Sequence, residues 1–66
     1  MTAKEFVKDK MPNAIAERHK KGMIKELQEV YYLIRERGQT MYVAEGNTES
    51  NAWVNAKKFL IRRDTI

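Results

Sequence analysis

Apolar residues change their spacing along this chain, and each change marks a predicted element. From residue 48 onward Ala52, Trp53, Ala56, Phe59 and Leu60 recur at three- and four-residue steps, the stripe of a helix laid against a sheet. Thr48 suits the N-cap, Glu49 complements the helix dipole in the first turn, and Gly46 ends the segment before it. The alanines allow close approach, and Trp53 and Phe59 are expected to fill the gap. At the other end, Thr2-Ala3-Lys4-Glu5 has the form of a capping box, with the threonine hydroxyl taking a first-turn amide and Glu5 reaching back to the Thr2 amide. Phe6, Val7 and Met11 share one side of the helix that follows. Pro12 drives Met11 out of the helical region, so this helix is expected to end near Lys10.

The middle of the chain admits two readings. In one, Ile15, Met23, Leu27, Val30 and Ile34 line a long helix capped by Asn13. In the other, residues 30–34 and 40–44 are strands, because β-branched and aromatic residues dominate both and Gly38 lies between them. The strand reading is preferred. Gly22 inside a helix costs about 0.5–1 kcal/mol relative to alanine, and the density of Val, Tyr and Ile would be wasted there. With Arg37-Gly38 as the turn, Ile34 lies opposite Met41, Leu33 opposite Tyr42 and Tyr32 opposite Val43. Val30, Tyr32, Ile34, Met41 and Val43 then form the core face, and Tyr31, Leu33, Arg35, Thr40 and Tyr42 the other. Residues 14–19 could be a first strand, joined to the hairpin by the polar stretch from Lys20 to Glu29. The expected fold is α+β: one compact domain over residues 1–66, with an N-terminal helix, an antiparallel hairpin or three-stranded sheet, and a C-terminal amphipathic helix on the sheet.

Composition sharpens this picture. A chain of 66 residues buries only about 60% of the surface its unfolded state exposes. It has no cysteine, so packing, self-association or a partner must supply what disulfides and thiolate-zinc sites cannot. The N-terminus lacks the apolar core of a signal peptide, and the longest apolar run, Val30 to Ile34, is too short to span a bilayer. A soluble intracellular protein with no membrane partner is expected. Thirteen Lys and Arg against nine Asp and Glu give +4 and a pI near 9.6, which points to anionic partners. The excess sits at the ends: residues 1–22 carry six basic and three acidic groups, 23–47 three and four, and 48–66 four and two.

No residue set in the chain is arranged for catalysis. His19 is the single histidine, and Arg18, Lys20 and Lys21 around it would repel a metal ion. A Ser50–His19 pair has neither elbow glycines nor an oxyanion loop, Glu26 and Glu29 read as a solvated face, and no phosphate-binding loop is present. No enzyme and no cofactor are expected. The candidate functional residues are cations: Arg18, Lys20 and Lys21 in one cluster with His19 and Lys25, Lys57, Lys58, Arg62 and Arg63 in a second, and Arg35 and Arg37 beside Tyr31 and Tyr42. The last group suits phosphate contacts with base stacking. Glu17, Glu36 and Glu45 interrupt these cations, which disfavours a pure nucleic-acid groove and fits a surface meeting a protein already loaded with nucleic acid.

Pro12-Asn13-Ala14, an aromatic hairpin from Val30 to Ala44, and then Gly46, Thr48, Glu49, Ala52, Trp53 and Ala56 form a pattern that resembles small accessory proteins of phages and prophages. In size, basicity and lack of catalytic groups the chain looks like a type VI-B anti-CRISPR. The resemblance implies an inhibitor acting in the host cytoplasm, one that binds an RNA-guided CRISPR nuclease and disturbs the seating of its guide RNA. It transfers no site residue. Two other functions fit the charge pattern: a free-standing RNA- or DNA-binding module, and a structural phage protein acting as a homo-oligomer.

Overall fold

The computed structural model describes residues 1–64. Helix α1 (Ala3–Lys10) leads through Pro12 into strand β1 (Ala14–Lys21). A loop with one 3-10 turn at Lys25–Leu27 connects to β2 (Glu29–Glu36), followed by β3 (Tyr42–Gly46) and helix α2 (Glu49–Asp64). The strands form one antiparallel sheet in the order β1-β2-β3. The strand reading of the middle region therefore holds, and residues 14–21 form the first strand, which makes the sheet three-stranded.

Both helices lie on one side of the sheet. The core joins Val7 and Met11 of α1, Ala14 and Ile34 of the sheet, and Ala52, Trp53, Ala56 and Leu60 of α2, with Phe6, Ala16, Tyr32, Val43 and Ala44 packed at its edge. Alanines at the contact let α2 ride close to the strands, as its stripe predicted. The approach is tightest at Gly46, where an added Cβ would sit 2.5 Å from the Ala52 nitrogen. That contact fixes this glycine. Thr48 caps α2 by accepting from the Asn51 amide at 3.1 Å. Glu49 has a second use, since its carboxylate accepts from the Trp53 indole N–H at 3.3 Å and satisfies that buried donor's one polar group.

Four details differ from the sequence reading. Thr2 accepts from the Glu5 amide as expected, but the Glu5 carboxylate takes the Thr2 hydroxyl and not the Thr2 amide. In the β2–β3 pair, Ile34 faces Ala44, Leu33 faces Glu45 and Tyr32 faces Gly46, three residues from the expected register, with a bulge beside Ile34 and Arg35. The connection is longer than a two-residue turn, and the shift places a small alanine next to buried Ile34 while the bulge lets Val43 and Ala44 both reach the core. Met41 consequently lies outside the strand and is 80% exposed, not in the core. Phe59 is 42% exposed, and the core it was expected to fill is completed instead by Val7 and Met11 of α1.

Candidate functional site

Strand alternation leaves a second face that neither α1 nor α2 covers. Ile15, Glu17 and His19 of β1 stand on it beside Tyr31, Leu33 and Arg35 of β2, and Tyr42 joins them through its pairing with Arg35. All are partly accessible. His19 stacks on Tyr31 with ring centroids 5.5 Å apart and meets Tyr42 edge-on at 6.3 Å. The cross-strand pairing of His19 with Tyr31 creates the stack directly. His19 Nε2 is enclosed by this cluster and has no hydrogen-bond partner among the described residues.

Arg35 is not the free cation its position in the sequence suggested. Its Nε donates to the Glu17 carboxylate across the strand pair, and its Nη1 donates to the Gln39 carbonyl at 3.1 Å. The Arg35 hydrogen bond holds the Glu17 carboxyl below its ordinary value, and Glu17 in turn raises Arg35. An arginine committed in this way contributes less to an incoming phosphate than a solvated one.

The β1–β2 hairpin outreaches the rest of the sheet. β2 pairs with β3 only from Tyr32 onward, whereas its pairing with β1 continues out to Lys21 and Glu29. Three strand residues, about 10 Å of chain, and the loop 22–28 thus form an arm on a molecule measuring 41 × 23 × 21 Å. Gly22 starts the loop at φ +127°, a conformation that other residues rarely adopt. Its carbonyl accepts from the Gln28 side chain at 3.1 Å, and the Leu27 amide donates to the Ile24 carbonyl at 2.9 Å.

The nine predicted cations do not share one surface. Arg18 and Lys20 project from the helix side of the arm and Lys21 from the open side. Arg37 sits at the far end, where its amide holds the Asn13 carbonyl at 2.9 Å. Lys57 lies over the Phe6 ring, 5.3 Å from its centroid, between the helices. Arg62 and Arg63 stand near the end of α2, and both make interactions. Lys21 and Lys58, from different clusters, both line a groove of about 870 Å³ between arm and α2, with Tyr31, Asn47, Asn51 and Asn55. Asn55 is tied across this groove to the Glu45 carbonyl at 2.7 Å. Among the described residues, no three His, Cys, Asp or Glu side chains gather to hold a metal ion, and no helix is long and apolar enough to cross a membrane.

Sequence reasoning missed the tip of the arm. The stretch read as polar carries Met23, fully exposed, with Ile24 at 59% and Leu27 at 72%. Their presence between two strands was legible. Their exposure followed only once the hairpin was known to extend past β3. No family model, no curated protein and no solved structure matches the chain.

Proposed function

We propose that this protein is a non-enzymatic binding module that engages an RNA-loaded partner through the open face of its sheet. The observation that carries the reading is the cluster of His19, Tyr31 and Tyr42 on a face that neither helix covers. Aromatic rings on an open sheet receive unpaired bases by stacking, each worth about 1–3 kcal/mol. Glu17 in the same face opposes a bare phosphate backbone, and the scattered cations supply no continuous track for one. Both features favour exposed bases on a protein complex over free nucleic acid. The likeness to type VI-B anti-CRISPRs supplies the partner class, an RNA-guided RNA nuclease whose guide RNA the bound protein displaces or distorts in the host cytoplasm.

The test is cleavage of target RNA by a guide-loaded type VI-B nuclease, with co-purification as the binding readout. Wild type is expected to associate and suppress cleavage, and the Tyr31→Ala, Tyr42→Ala double variant to lose at least about tenfold in affinity with its unfolding midpoint retained. Absence of any association with the nuclease removes the reading. Tight binding to bare single-stranded RNA, falling steeply with salt, replaces it with a free-standing nucleic-acid binder. A stable homo-oligomer that protects Tyr31 and Tyr42 and ignores RNA replaces it with a structural role.

A further inference from the structure

The arm carries an arrangement that the open face does not use. Met23, Ile24 and Leu27 form an apolar point at its end, and Arg18, Lys20, Lys21 and Lys25 stand around and behind that point, with Glu26 the one carboxylate in the loop. Arg18 and Lys20 make the helix side of the arm positive, Lys21 on the open side is paired with Glu29, and four cations against Glu26 and Glu29 leave residues 18–29 with a net charge of +2. We propose that this tip docks on an anionic lipid surface, with the three aliphatic side chains entering the headgroup boundary and the cations resting on the lipid phosphates and carboxylates.

Four features favour lipid over other occupants. Charge complementarity rules against a second copy, because two arms meeting point to point would bring two net-positive tips together. Three aliphatic side chains of roughly 60–120 Å² each also fall well short of the ~800 Å² per partner that a stable protein interface takes. Such a point moreover lacks the Trp, Tyr or Arg anchors that dominate protein contacts. Finally, the loop satisfies part of its own backbone, through Gln28 to the Gly22 carbonyl and Leu27 to the Ile24 carbonyl, which lowers the cost of leaving water. Lys25 and Glu26 can keep their charges in the headgroup layer while their stems lie among apolar neighbours. Docking of this kind needs no spanning segment. It needs the paired apolar and electrostatic signals that the arm supplies.

The experiment is flotation of the purified full chain with two sets of vesicles, phosphatidylcholine alone and roughly three parts phosphatidylcholine to one of phosphatidylserine. Expected is at least about tenfold stronger partitioning to the anionic set, weakened in about 0.5 M salt. The Met23→Ser, Ile24→Ser, Leu27→Ser variant should lose about tenfold or more of it while keeping its circular dichroism and urea midpoint. Wild type that treats both vesicle sets alike overturns the proposal. So does an unchanged serine variant, which would reduce the binding to bulk charge attraction. Loss of nuclease association in the serine variant without vesicle binding by wild type would assign the tip to a protein pocket and equally end the lipid reading. The Tyr31→Ala, Tyr42→Ala variant retains vesicle binding, so this result stands or falls separately from the open-face reading.

Discussion

Leu60 and Leu27 are the same side chain in opposite situations. Leu60 is fully buried among Ile34, Val7 and the α2 alanines, whereas Leu27 is 72% exposed at the end of the arm. The helix side of the sheet gathers the apolar residues that hold the fold, and the arm and open face carry apolar and aromatic groups that the fold does not need. In a domain of this size, whose core rarely supplies more than about 3–5 kcal/mol, stability drawn from one side only leaves the other free to serve contact. The largest expected effect follows from that division. Leu60→Ala should cost about 2–5 kcal/mol, enough to leave much of the protein unfolded at room temperature, while Leu27→Ala should stay within about 0.5 kcal/mol of wild type. Urea titration of both variants measures the difference, and equal costs would dissolve the distinction between the two regions.

The same division governs what could be read in advance. α2 was legible because its period, cap and first-turn carboxylate agree with one another, and α1 because Thr2 and Pro12 bracket it. The strands were legible from residue type. Their register was not, since it depends on the bulge beside Ile34 and on which small residue can lie next to that side chain. Met41 and Phe59 were misplaced through long-range packing: a slip of three residues left one outside the strand, and α1 adds Val7 and Met11 to the core that leaves the other out. For the candidate surface, the shared position of Tyr31 and Tyr42 on the sheet face away from the core was legible, but not the ion pair that occupies Arg35 or the reach of the arm. Both arise from pairing across 18 or more residues of chain separation or from the end of β3, and local patterns do not encode either.

An intermediate effect is expected where α2 begins. Thr48 closes the first turn by accepting from the Asn51 amide, and it lies between Gly46, which touches the helix backbone, and Glu49, which holds the Trp53 indole. Thr48→Ala leaves that amide without its partner and should cost about 1 kcal/mol. Thr48→Asp restores the acceptor and should recover most of the loss in the same urea titration. A cap change with no effect would mean that packing alone fixes the start of α2, and the helix side would then be less dependent on local signals than its geometry suggests.

The smallest effect belongs to the open face and differs in kind, because it depends on pH. Arg35 holds the Glu17 carboxyl below its ordinary value of 4.5. A carboxylate depressed in the folded state binds its proton less readily there than in the unfolded chain, so its contribution is fully present above the unfolded value and fades as pH falls through the folded one. The window is therefore acidic, opening near the ordinary carboxylate range and extending below it. Glu17→Gln removes the titration. Wild type should exceed the variant slightly at pH 7, and their thermal midpoints should converge as the solution is acidified. Salt should narrow the gap at pH 7 as well, because both partners of the pair are accessible to solvent. The Leu60→Ala deficit, which involves no titrating group, should persist across the same range. Should the two midpoints draw apart in acid instead, Glu17 would be acting through some group other than Arg35, and the ion pair would lose its place as the organising contact of the open face.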